Sequence, residues 1–275
     1  RMSTVTKIIN NKPYTVRWYY EKILNNAFLI LILAKRELKV KYSRTVIGIG
    51  WFFLQPLLIV VVYSIFFKHL IKINTGSIPY PSFVFSGLVL WNLFTGIIGK
   101  SSYALIESTD MISKVSFPKL IILISKIMPV VLECLVLLVF LFIIAFFNGQ
   151  SAGLNILYSA FYFIQVVILS FAIGLFCSTV ALKYRDIAHS IPFIFNFGIW
   201  LTPVFYPVSI VPDVYRSYVL ILNPLAASIE GLRNSLFFNS GIPLSSFLFL
   251  LIYVFLLLLS IYYFIKFEKK IVENL

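Results

Sequence analysis

The sequence predicts an all-α integral membrane protein, on three observations. Of its 275 residues 60% are hydrophobic and only 12% are charged, where a soluble domain is about half apolar and about a quarter charged. Mean hydropathy is +0.97. The apolar residues lie in long unbroken runs. In lipid only helices and closed barrels satisfy their own backbone polar groups, and barrel strands read as ~10-residue alternating segments, so helices are selected.

Six runs read as spans, at ~20 residues each: 46–67, 83–106, 120–147, 156–182, 191–206 and 244–267. The fifth is short. Their loops fix an orientation, because Lys and Arg stay on the cytoplasmic side. Of the 23 basic residues, only Lys68, Lys72, Arg216 and Arg233 fall on the outer side, which places both termini in the cytoplasm. The net charge of +13 is therefore topological and does not call for a nucleic acid partner. The N-terminus lacks the short apolar core and cleavage site of a signal peptide.

Ahead of the first span, residues 19–34 read YYEKILNNAFLILILA. Ile23, Leu24, Ala27, Phe28, Leu31 and Ala34 recur at helical spacing opposite Glu21, Lys22, Asn25 and Asn26. With Trp18, Tyr19 and Tyr20 as anchors, this predicts a helix lying in the membrane interface. Its apolar core of about ten residues is too short for a seventh span. Residues 34–44 then carry Lys35, Arg36, Lys39, Lys41 and Arg44 against a single acid, Glu37. Between 201 and 243 the chain is too apolar for a free loop, and Pro203, Pro207, Pro212, Pro224 and Pro243 interrupt it. Two short helices are expected there, at 213–221 and 224–237, re-entering the outer leaflet, with Asp213 and Pro224 as their starts. The whole chain is one transmembrane domain: an interfacial region (1–45), five spans (46–206), an outer-side gate region (207–243), and a sixth span with a tail (244–275).

Catalytic and nucleotide motifs are missing. GIIGKSS at 96–102 resembles the end of a phosphate loop, but the position that needs glycine is Phe94 and no strand precedes it. His69 and His189 stand alone at span ends, and Cys134 and Cys177 sit in apolar runs as packing residues. No metal site is expected. Asp213 and Glu230 are a weak signal for glycosyl chemistry. Inside the spans, Gln55 precedes the kink-permitting Pro56, and Glu133 lies seven residues, two turns, beyond Lys126. A buried carboxyl is a functional candidate because it is costly to place, or it is a hydrogen-bonded packing residue. The aromatics, 17% of the chain, likewise admit two readings. Trp51, Phe52, Phe193, Phe197, Trp200 and Tyr206 pack against lipid and helices, or they line a pore on which sugars stack. The loop at 107–117 is a solvated connector or a short helix shown to a soluble partner. The turn KYRDI at 183–187 has the same alternatives.

KVKYSRTVIGIGWFFLQPLL (39–58), YPSFVFSGLVLWNLF (80–94), ISKVSFPKLIILIS (112–125), KYRDI and the proline-rich segment 201–237 together resemble the permease subunits of type-2 ABC transporters that export bacterial polysaccharides. The O-antigen, capsule and teichoic acid permeases are its kin, the O-antigen permeases foremost. The resemblance covers about 20–270 in order. It implies a half-transporter. Two copies form the channel, two separate ATPase subunits bind ATP and Mg beneath it, and this chain holds no cofactor. The substrate it implies is a glycan on undecaprenyl diphosphate, moved across the bacterial cytoplasmic membrane. The ATPase stroke enters through the interfacial helix and through Glu107, Asp110, Met111, Ile112, Lys114, Arg185 and Asp186. On this reading Arg36, Lys39, Lys41 and Arg44 hold the lipid diphosphate by charge-assisted hydrogen bonds, and the aromatics line the channel. The alternatives are a drug or small-lipid exporter of the same superfamily, an ion-coupled secondary carrier, and a membrane-embedded glycosyltransferase.

Overall fold

A computed structural model describes residues 16–43, 46–48, 50–63, 65–66, 74–114, 117–147 and 155–273, and its regular elements are all helical. In chain order they are α1 (Val16–Asn25), α2 (Ala27–Tyr42), α3 (Gly50–Tyr63), α4 (Tyr80–Glu107), α5 (Thr109–Lys114), α6 (Leu120–Phe147), α7 (Asn155–Ala181), α8 (Arg185–Leu201), α9 (Asp213–Leu222), α10 (Pro224–Phe238) and α11 (Leu244–Glu273). Four contain stretches long and apolar enough to cross a membrane: Tyr80–Glu107, Leu120–Phe147, Leu157–Ala181 and Leu244–Glu268. The expected first span lies partly outside the described residues. Its described helix, α3, has 14 residues, and α8 has 17.

Each difference from the expected elements has a local cause. The interfacial helix is two helices. At Asn26 the side-chain amide bonds the Lys22 carbonyl at 2.7 Å and the backbone leaves helical geometry. α2 then carries the basic run on to Tyr42, so the charges sit on a helix and not in a linker. The fifth apolar helix is displaced from 191–206 to Arg185–Leu201. Pro203 disfavours helical geometry at the preceding residue, and Thr202 is extended. At the other end Arg185 and Asp186 form the helix's first turn.

The two short helices after α8 match their expected positions to within a residue. α10 has the stronger cap. Asn223 accepts from the backbone N–H groups of Leu225 and Ala226, both at 3.2 Å, with Pro224 at the first helical position. It ends at Asn239 in the left-handed region, with φ of 55°.

α4 is the centre of the bundle. It packs on α6 and α7, and α7 packs in turn on α10 and α11. The main core runs from Phe83 and Val84 through Leu93 and Ile97 to Leu137, Tyr162, Val166 and Ile229. A second core forms at the α5 end from Tyr19, Leu105, Ile112, Leu123 and Phe264.

Close approach of α10 to α7 requires Gly231. A Cβ there would stand 2.3 Å from two ring carbons of Tyr162. That ring is 1% exposed and its hydroxyl lies 3.2 Å from Ser246 Oγ, so it has no room to swing. Gly231→Ala is expected to cost about 1–3 kcal/mol through overpacking. The apparent Tm of the detergent-solubilised protein should fall, and Tyr162→Leu in the same chain should recover part of the loss.

Candidate functional site

At the α5 end, two charged clusters flank the short helix. On one side Lys126 of α6 lies 2.8 Å from Glu107 at the end of α4 and 3.1 Å from Glu37 of α2. On the other, Glu268 of α11 is 2% exposed and receives three donors. The Lys119 ammonium is at 3.3 Å, the Lys119 backbone N–H at 3.1 Å, and the Tyr19 hydroxyl completes the set. Burial, and then the charge of Glu268, hold the Tyr19 phenol far above its ordinary range, so it remains a donor. The segments on either side of α5 are therefore tied to the N-terminal helices, and α5 itself shares a buried cluster with Tyr19 through Ile112. Of its expected coupling residues, Ile112 is buried and anchors the helix, and Met111 is half-buried. Asp110 and Lys114 are exposed, as are Glu107, Arg185 and Asp186 at neighbouring helix ends.

The basic run of α2 divides by face. Arg36 and Lys39 are exposed. Lys41 turns toward α6 and sits 2.7 Å from both carboxylate oxygens of Glu133, which also accepts from the Tyr42 hydroxyl at 2.5 Å. Glu133 thus pairs across helices and not with Lys126, seven residues away on its own helix. Arg44 lies outside the described residues, and so does the side chain of Phe52.

Above this pair opens a groove of about 470 Å³ between α2, α3, α4 and α6. Its walls bring together Glu133 and Gln55, the two polar residues singled out in the apolar runs, with Trp51, Asn92, Thr95 and Lys100. Trp51 is 45% exposed. Lys100, the lysine of the GIIGKSS segment, also lines the groove.

The opposite end is held by Arg233 of α10, 1% exposed and hydrogen-bonded throughout. Its guanidinium donates to the carbonyls of Pro203 at 2.7 Å, Val204 at 2.8 Å and Phe83 at 3.1 Å, and to Ser86 Oγ at 3.3 Å. The Phe83 ring lies 3.5 Å beneath it. Two of these acceptors, the Pro203 and Val204 carbonyls, lie in the break after α8, where no helix supplies a donor, and the other two belong to the first turns of α4. Gly87 makes the space: a Cβ there would be 2.8 Å from the guanidinium and 3.1 Å from Val204 Cα. In the sequence Arg233 is marked only as one of few charges in a proline-broken apolar stretch, and nothing there marks its partners.

Three aromatics of α8 are exposed, while Phe195 packs inward against Trp91 and Phe94. Phe193, Phe197 and Trp200 are 65%, 59% and 50% exposed, with the first two rings 4.9 Å apart. Tyr206 is half-buried beyond the helix end and donates to the Trp200 carbonyl at 3.0 Å.

Residues 29–237 match the ABC-2 type transporter family. This chain belongs to that family. The match runs from α2 to α10, so in this ABC-2 chain it takes in the groove and the Arg233 anchor. Among similar proteins is the O-antigen export system permease protein RfbA of Myxococcus xanthus, 26% identical over 218 residues, 78% of this chain and 82% of that one. An RfbA of Klebsiella pneumoniae is 28% identical over 212 residues, 77% and 80% of the two chains. The polysialic acid transport protein KpsM of Escherichia coli is 21% identical over 214 residues, 76% and 83%.

Proposed function

We propose that this chain is the channel-forming permease subunit of an ATP-driven exporter. Its cargo is a polysaccharide linked to undecaprenyl diphosphate, an O-antigen, capsule or teichoic acid, carried across the bacterial cytoplasmic membrane. The observation that carries the reading is the similarity to O-antigen and polysialic acid permeases over roughly four fifths of each chain. Composition agrees, since the chain has the spans of a transporter and no phosphate loop. ATP and Mg belong to a partner ATPase, and this chain needs no cofactor of its own.

In this assembly two copies face one another and two ATPase subunits dock beneath α5. Six helices span the membrane: α3, α4, α6, α7, α8 and α11. α1 and α2 lie at the cytoplasmic interface, both termini are cytoplasmic, and α9 and α10 re-enter the outer leaflet as a gate. Arg36 and Lys39, on the exposed face of α2, meet the lipid diphosphate with Lys41 and Arg44. The exposed aromatics of α8 and Trp51 line the polymer's path, where flat apolar faces accept sugar rings. The ATPase stroke reaches α5 at Asp110 and Lys114 and passes to α1, α2 and α11 through Lys126 and Glu268.

Deleting the gene should abolish surface polysaccharide while the lipid-linked polymer accumulates inside the cell. The wild-type chain should restore export, and normal surface polymer in the deletion strain would refute the proposal.

A further inference from the structure

The groove between α2, α3, α4 and α6 contains polar side chains with no structural employment. Among the described residues Gln55, Asn92 and Lys100 form no hydrogen bond or ion pair with the protein, although all three line the cavity. Gln55 and Lys100 are exposed and Asn92 is half-buried, so all three present their polar atoms to whatever fills the groove. Their neighbours are already committed. Thr95 donates to the Trp91 carbonyl at 2.9 Å, Glu107 is held by Lys126, and Glu133 by Lys41 and Tyr42. The cavity, at about 470 Å³, falls in the ~300–1,000 Å³ range of small-molecule sites.

The lining also constrains the ligand's charge. Two ammonium groups, Lys41 and Lys100, face two carboxylates, Glu107 and Glu133, so the walls balance and do not select an anion. A pure lipid chain is no better, because it would leave the amides unpaired. The set joins an exposed indole (Trp51) to two free amides (Gln55 and Asn92), each with both a donor and acceptors, and to one free ammonium. That combination fits a neutral polyhydroxylated ring, with C–H faces for the indole and hydroxyls for the amides.

We infer that this groove is a sugar-recognition site within a single subunit, reading the saccharide units of the lipid-linked chain nearest its anchor. Trp51 stacks on a sugar ring. Asn92 and Gln55 bond its hydroxyls, and Lys100 donates to a further hydroxyl. The site adjoins the diphosphate collar and shares Lys41 with it, while the collar's exposed Arg36 and Lys39 do not line the groove. The inference rests on the polysaccharide-export reading and adds to it where the glycan, as opposed to its anchor, is recognised.

The test uses the permease–ATPase complex in liposomes, with two probes: undecaprenyl diphosphate bearing the cell's own glycan, and undecaprenyl diphosphate alone. ATP hydrolysis is measured against probe concentration. Q55A/N92A should raise the half-maximal concentration of the glycan-bearing probe about tenfold, from the loss of two hydrogen bonds, with no shift for the bare probe. Trp51→Ala should act in the same direction, and Trp51→Phe, which keeps a flat face, should recover most of the response. An equal shift for both probes would make the groove a headgroup site and overturn the inference. No shift for either would overturn it too. If the wild-type complex ignores the glycan-bearing probe and its deletion leaves surface glycan intact, the export reading fails and takes this inference with it. If deletion abolishes surface glycan but the groove variants respond as wild type, only the groove assignment falls.

Discussion

Arg233→Ala is expected to strip the protein from the membrane fraction. The guanidinium ties α10 to the start of α4 and to the chain break after α8, through three carbonyls and a hydroxyl. Hydrogen bonds to a charged group contribute about 1.5–3 kcal/mol each, and an acceptor left buried without a donor costs a comparable amount. These terms share one side chain and do not add fully, so about 3–5 kcal/mol is the expected loss, a large part of a domain's net stability. Arg233→Lys should recover little. An ammonium cannot spread its donors in a plane across acceptors on both sides, and it loses the stacking on Phe83. Abundance in isolated membranes and the melting temperature in detergent measure the effect. Wild-type-like values for the alanine variant would refute the anchor. The consequence reaches function, because α9 and α10 are the proposed outer gate and Arg233 fixes the gate to the bundle.

Glu268→Ala is the second large effect, at the opposite end. It leaves the Lys119 ammonium, 11% exposed, and the Tyr19 hydroxyl, on a residue 2% exposed, without their carboxylate. Breaking a buried pair by removing one partner costs about 3–5 kcal/mol, because the remaining charge is uncompensated. Glu268→Gln should lose less, since an amide oxygen still accepts from Tyr19 and from the Lys119 N–H. A second readout separates this cluster from simple stability. In protein that still reaches the membrane, α1 should become accessible to protease, because Tyr19 is its buried anchor. Protection equal to wild type would show that α1 is held by apolar packing alone.

Lipid-scale hydropathy set the helical class and the limits of α6 to the residue. Proline and asparagine set α9 and α10 nearly as well. These signals are local: a run's apolar length, a proline that cannot continue a helix, and an asparagine that caps one act through neighbours in the chain. The break at Asn26 is local too, but weaker, and an amphipathic stripe spanning both halves masked it. The displaced start of α8 shows the limit of hydropathy. Its first turn, Arg185–Ile187, includes two charged residues that a search for apolar runs excludes, although they are helical.

Pairings of charge were decided only by tertiary structure. Two turns of helix place Lys126 and Glu133 on one face of α6, yet they are about 10 Å apart along the axis at 1.5 Å per residue, beyond ion-pair reach. α2 instead supplies Lys41 to one and Glu37 to the other. Lys100, in a segment that mimics a phosphate loop, lines a groove instead. Arg233 counted as one outer-side charge and is the largest fully buried side chain of α10. Coulomb and hydrogen-bond energies depend on distance through space, and residues 92 or 249 positions apart meet only after the helices have packed. By itself the sequence determined that this chain is helical, where most of its helices begin and end, and which family it resembles. Packing decided which polar groups are satisfied, and so which remain free for a ligand.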